Sequence, residues 1–214
     1  SRNKEEGLRC PCGICRKPDA EIVDCLLTVH KPGDLVHVDA EKVAHIPEGG
    51  GWRVHGKGGC DRHRSTGIEC LHVAIDDYGR VTYAEELSDE RKETCAGFVL
   101  RTHAYFTSWG IHVQEYMTDN GPGYRSDAFS EALASVGASH IFTRPYSPWQ
   151  NGKVERMNQT LAREWAYARP YKTNAERSEA LSAFLDHYNC DRPHSACGGL
   201  PPMSRVNNVL TNNS

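Results

Sequence analysis

Beyond Gly33 the alternation of apolar and polar residues becomes regular enough to read as structure; before it, residues 1 to 30 show little periodicity. Leu35-Val36-His37-Val38-Asp39 reads as a short buried strand ending in a carboxylate. Six glycines between residues 46 and 59 (Gly49, Gly50, Gly51, Gly56, Gly58 and Gly59) predict an irregular loop. Ile68 to Asp76 and Val81 to Leu87 read as two strands joined by the turn Asp77-Tyr78-Gly79-Arg80. Ser88 is placed to cap a helix whose first turn holds Asp89 and Glu90, where negative charge suits the helix dipole. Cys95, Phe98, Val99, Thr102 and Phe106 recur at helical spacing. Ile111 to Met117 predicts a fourth strand, which Thr118-Asp119-Asn120-Gly121 stops.

Ser126 opens a further helix with the face Phe129, Ala132, Leu133 and Val136, and Gly137 stands at its C-terminal cap. Ser139 to Thr143 predicts a short fifth strand, and the prolines of Arg144-Pro145-Tyr146-Ser147-Pro148 exclude regular structure after it. Lys153 to Ala168 is helical, with Val154, Met157, Leu161, Trp165 and Ala168 as its stripe. Thr173 and Glu176 make a capping box for a last helix facing inward through Leu181, Phe184, Leu185 and Tyr188. This order predicts an α/β fold: a mixed five-stranded sheet with helices on both faces. The chain divides into a cysteine-containing segment (1–30), a core (31–195) and a tail (196–214).

Composition narrows the class. Of 214 residues, 38% are apolar and 25% charged, an ordinary globular balance. No run approaches the ~18 consecutive apolar residues of a membrane span, and Ser1 to Gly7 do not resemble a secretory signal. The chain begins without Met, as a piece of a longer protein would. Nine cysteines without an export signal point to a reducing cytosol. A net charge of −3 describes a molecule that is no polycation, although basic residues can still be grouped locally.

Three carboxylates fall where they can converge: Asp39 on the first strand, Asp119 ending the fourth, and Glu155 in the first turn of a helix. Cutting and joining DNA requires stabilising an attacking and a leaving oxygen about one phosphorus. Two Mg²⁺ ions ~3.5–4 Å apart do this when hard oxygen ligands hold them on a rigid frame. Each carboxylate alone also has a plain reading, as a strand-end, turn or surface-helix residue.

The flanking residues shift that balance. Thr118-Asp119-Asn120-Gly121, the run Ser147 to Arg156, and Tyr188-Asn189 with Arg192-Pro193-His194-Ser195 resemble the signature blocks of bacterial insertion-sequence transposases of the DDE type. Those transposases share the retroviral integrase catalytic core, a ribonuclease-H-like fold. His37-Val38-Asp39 and the loop Ile46 to Gly56 resemble one branch of them. The resemblance covers about Gly33 to Met203 and implies that Asp39, Asp119 and Glu155 bind two Mg²⁺ or Mn²⁺ ions. It implies hydrolysis at transposon ends, then attack of the freed 3′-OH on target DNA by a homo-oligomer in a bacterial cytoplasm, nucleoid-associated while on DNA. Cys190-Asp191 and Cys197 depart from the usual blocks, and no helix-turn-helix pair is visible before Gly33.

Arg144, Trp149, Gln150, Asn151, Lys153, Arg156 and Arg163 are candidate DNA contacts, the alternative being a solvated helix face. Trp149 and Tyr146 could stack on an unpaired base. Asp76 and Asp77 read as turn residues rather than additional ligands. Cys12 and Cys15 have zinc-knuckle spacing, with Cys10 and Cys25 as further candidates. Integrases of some retroelements pair such cysteines with two upstream histidines, which this chain lacks, so the segment reads as unstructured or truncated. Two other functions are kept in view: a ribonuclease-H-like nuclease that only hydrolyses, and an inactive remnant that binds DNA or inhibits a full transposase.

Overall fold

The protein is described here from a computed structural model over residues 29–56, 67–144 and 148–211. Five strands, β1 (Leu35–Ala44), β2 (Ile68–Asp76), β3 (Thr82–Leu87), β4 (Glu115–Thr118) and β5 (Ser139–Phe142), form one sheet in the order β3-β2-β1-β4-β5. The β3-β2-β1 half is antiparallel, whereas β4 and β5 run parallel to β1. The helices are α1 (Trp52–His55), α2 (Lys92–Ser108), α3 (Asp127–Ser135), α4 (Gly152–Leu161), α5 (Asn174–Cys190) and α6 (Met203–Thr211). The expected mixed sheet flanked by helices is what the chain forms.

Pleating sorts the side chains. Val36, Val38 and Ala74 point to one face, where they meet Phe98, Phe106 and Phe129 of α2 and α3. Val43, Leu71, Val73 and Ile75 point to the other, against Val154, Met157 and Leu161 of α4 and Leu181 and Leu185 of α5. The three phenylalanines are fully buried, each contributing about 1.5–3 kcal/mol by leaving water. Because both faces are covered, β2, an inner strand between β3 and β1, is buried along nearly its whole length rather than alternating.

Local signals place several elements. Ser126 caps α3, its hydroxyl accepting from Phe129 N–H at 3.3 Å, and Gly137 follows in the left-handed region at φ +71°. Thr173 caps α5 by accepting from Glu176 N–H at 3.1 Å, and Glu176 reaches back to Lys172 N–H at 2.8 Å. Elsewhere tertiary context prevails. α2 begins at Lys92, not after Ser88; Asp89 organises its start by accepting from Arg91 N–H at 3.0 Å and from the Thr94 hydroxyl at 2.5 Å. β1 continues past Asp39 because β2 pairs with it as far as Ala44 opposite Ile68. β4 is shorter than Ile111 to Met117, since β1 supplies a partner only from Leu35 opposite Glu115; Ile111 and Val113 are buried without strand pairing. The glycine-rich loop contains the helical turn α1, and the segment read as a tail contains α6, whose Met203 and Val206 join the first core. The segment with Cys10, Cys12, Cys15 and Cys25, as well as Tyr146, lies outside the described residues. Among the described residues, no helix is long and apolar enough to cross a membrane.

Candidate active site

β1 and β4 are adjacent and parallel, so Asp39 within β1 and Asp119 just beyond β4 come close at one end of the sheet. Burial raises the Asp39 carboxyl most, Ala40 N–H opposes that, and the negative charges of Asp119 and Glu41 add to the rise, which ends at about 6. Asn158 Nδ2 donates to Asp39 Oδ2 at 3.0 Å, while Asn158 Oδ1 is buried with no partner among the described residues. Asn158 lies one turn after Glu155 on α4. That spacing is the signal by which it could have been found in the sequence.

The Thr118-Asp119-Asn120-Gly121 block is a built turn. The Thr118 hydroxyl donates to Asp119 O at 2.8 Å, and Asn120 Nδ2 to Thr143 O at 2.8 Å. Gly121 N–H donates to Asp119 Oδ1 at 2.8 Å; a Cβ on Gly121 would lie 2.9 Å from that oxygen, which is why glycine serves there. Glu155 is exposed on the first turn of α4 and lines, with Asp39 and Asn158, a cleft of about 520 Å³ also bounded by Glu41, Lys42 and Tyr167. Thus Asp39 is coupled to Asp119 by charge and shares a cleft with Glu155. Among the described residues, no three acidic, histidine or cysteine side chains close into a ready-made metal cage.

The predicted DNA contacts divide. Arg156 and Arg163 are exposed, and Arg144 is half-buried. Gln150 accepts from Arg144 N–H at 2.7 Å. Asn151 and Lys153 turn inward: Asn151 Oδ1 meets His37 Nδ1 at 3.1 Å, His37 Nε2 meets Asp77 Oδ1 at 2.7 Å, and Lys153 closes on the same Asp77 oxygen. These partners hold Asp77 down at about 2, against its burial. Asp76 keeps the expected turn role, accepting from Gly33 N–H at 2.7 Å and from Gly79 N–H; burial pushes its carboxyl up to about 6.

The last motif block is structural. Asn189 bonds both backbone groups of Thr82, accepting at 2.9 Å and donating at 2.8 Å, and so seats α5 on β3. Arg192 forms a bidentate pair with Glu164 at 2.7 and 2.8 Å. Glu164 lies in the wide turn Ala162–Ala166 that continues α4.

A five-stranded mixed sheet covered by helices on both faces, with Asp39 and Asp119 close together where β1 and β4 adjoin, is a ribonuclease-H-like fold. The chain belongs to the integrase core domain family: residues 29–148 match it, and residues 136–202 match a second integrase core domain. It is 33% identical over 145 residues to an uncharacterized 39.2 kDa protein of insertion element IS476 from Xanthomonas euvesicatoria, covering 67% of this chain and 40% of that protein. It is 30% identical over 103 residues to the Escherichia coli transposase InsD of insertion element IS2, covering 46% of this chain and 34% of that protein. The chain therefore spans less than half the length of these curated relatives. The HTLV-2 integrase catalytic core, solved in complex with magnesium as a trimeric form, superposes with a TM-score of 0.57 at 17% identity, over 82% of this chain and 97% of that one.

Proposed function

We propose that this chain is the catalytic core of an insertion-sequence transposase, in which Asp39, Asp119 and Glu155 act together on the phosphodiester backbone of DNA. The observation that carries the reading is the meeting of Asp39 on β1 with Asp119 just beyond the adjacent β4, where the charge of Asp119 adds to the upward push that burial gives the Asp39 carboxyl. Like charges brought together cost stability, and such costs collect at functional sites. The transposase relatives supply the substrate class, and the family match favours this reading over a purely hydrolytic nuclease or an inactive remnant.

A divalent cation suits this donor set. The three groups are hard oxygens, two of them repel each other without a counter-charge, and the unpartnered Asn158 Oδ1 leaves a further oxygen at the cleft wall. Asp39, Asp119 and Glu155 would hold Mg²⁺ or Mn²⁺, as two ions, which would supply charge stabilisation for the attacking and leaving oxygens at phosphorus. The protein's own part is positioning: Asn158 orients Asp39, Gly121 N–H orients Asp119, and the pinned start of α4 presents Glu155. In this reading residues 31–195 are the catalytic unit, self-associating on transposon ends and target DNA.

The test is a strand-transfer assay on oligonucleotides carrying the element's ends, with the full-length protein. Asp39→Asn, Asp119→Asn and Glu155→Gln should each reduce Mg²⁺-dependent cleavage and joining to background. Full activity in Glu155→Gln would sink the assignment.

A further inference from the structure

Between Ala44 and Ile68 the chain leaves the sheet and returns to the same point, His45 N–H donating to Gly67 O at 3.3 Å beside the Ala44–Ile68 pair. The described part of this excursion is a built object. Ile46 N–H donates to Asn174 Oδ1 at 2.7 Å, and Asn174 is tied to Glu69 Oε1 at 2.9 Å. Gly50 N–H closes a turn on Pro47 O at 2.9 Å, and His55 Nε2 meets Gly49 O at 2.8 Å. Gly50 has φ +94°, and a Cβ there would lie 2.4 Å from Val54 Cγ2, so α1 is packed back onto its own turn.

This scaffold fixes α1 while α1 itself buries nothing. It presents Trp52, 59% exposed, and beside it Arg53. Among the described residues Arg53 meets no carboxylate; its guanidinium lies 5.4 Å from the centroid of the Tyr167 ring. Tyr167 is 43% exposed and lines the same cleft as Asp39 and Glu155. Arg53 over Tyr167 therefore forms a ledge at the rim of the carboxylate cleft, and Trp52 stands exposed one residue before Arg53 on α1.

We propose that this ledge holds the DNA strand where it leaves the cleft, with one unpaired base stacked on Trp52 and its phosphate on Arg53. The inference rests on reading the cleft as the place of DNA chemistry. A cleft walled by carboxylates repels a polyanion, so the strand needs cations and apolar contact beside the reacting phosphate rather than within the acidic site. Every base has a π face, so an exposed indole accepts any sequence. The guanidinium forks to phosphate oxygens, and lying over Tyr167 restrains it before DNA arrives. The inward turn of Lys153 onto Asp77 removes one of the two cations flanking Glu155, so Arg53 joins the exposed Arg156 in this task.

The experiment titrates the 214-residue chain against a fluorescein-labelled DNA duplex with a short single-stranded overhang, read by anisotropy at low salt. EDTA is present so that nothing is cut. Trp52→Ala and Arg53→Glu should each weaken overhang binding by about tenfold, with Trp52→Phe recovering most of it. A blunt duplex should lose less, and circular dichroism should match the parent because α1 buries no residue. Overhang affinity unchanged in both variants overturns the proposal, as does an absence of binding by the parent. So does loss of self-association in the variants by sedimentation, which would assign the ledge to a second copy of the chain. The readout involves no cleavage, so failure here leaves the carboxylate assignment standing, and failure of the carboxylate variants leaves the binding result standing.

Discussion

Asp39 carries the balance between burial and charge at a single position. Its carboxyl rises from the ordinary 3.8 to about 6, first through burial and then through repulsion by Asp119 and Glu41. The sign follows from linkage. A group raised in the folded state contributes stability below its unfolded value and loses it as pH rises through the folded one. Between about pH 4 and pH 6 the metal-free fold therefore weakens as Asp39 ionises, by on the order of 2 kcal/mol after allowing for its partial exposure. Asp39→Asn should melt roughly 4–8 °C above the parent at pH 7.5 without metal, nearly with it at pH 4, and show a blunted response to Mn²⁺. The check is thermal melts at fixed ionic strength with and without Mn²⁺. A variant that melts below the parent at pH 7.5, yet gains as much from Mn²⁺, would show that Asp39 shares no charged site.

At the scale of elements, the first turn of α4 decides where Glu155 stands. Asn151 occupies the N-cap position but makes no side-chain cap, because its oxygen is given to His37 instead. The helix start is thereby clamped to β1 through His37 and to the β2–β3 turn through Asp77 and Lys153. Asp77→Ala leaves a buried histidine and a half-exposed lysine without their acceptor, which costs about 2 kcal/mol, or roughly 4–8 °C in melting temperature. Asp77→Asn keeps an acceptor for both and should retain strand transfer. Paired melts and strand-transfer rates check this; a melting temperature for Asp77→Ala equal to the parent's would mean that the clamp is idle. Legibility follows the same division. α3 and α5 were readable because Ser126 and Thr173 cap within their own segments. The start of α2 and the length of β4 were not, because Asp89 and β1 set them from outside the periodic pattern.

For the molecule as a whole, charge and layering set what it does alone. The net charge is −3, and the cleft itself is lined by Asp39, Glu41 and Glu155 with Lys42 as its one cation among the described residues, although Arg53, Arg156 and Arg163 are exposed elsewhere. The isolated chain should therefore bind duplex DNA weakly, with little sequence preference and a steep loss as salt is added. A titration giving nanomolar, end-specific binding at physiological salt would contradict this. α6 adds Met203 and Val206 to the core beneath α2 and α3, so the fold extends beyond residue 195, where the core was expected to stop.

By themselves, the periodicities and caps of the sequence determined the layers of this protein, since a strand's or helix's buried face is written in local spacing. The carboxylates and motif blocks likewise marked where the chemistry is proposed to lie. Tertiary structure alone decided the partners. His37 and Asn151 are 114 positions apart and Asn158 and Asp39 are 119 apart, and no local spacing says that either pair touches. Only the seat of α4 against β1 brings them within hydrogen-bond range. That is why Lys153 and Asn151 read as surface contacts yet turn inward onto Asp77 and His37, and why Arg53 meets the ring of Tyr167.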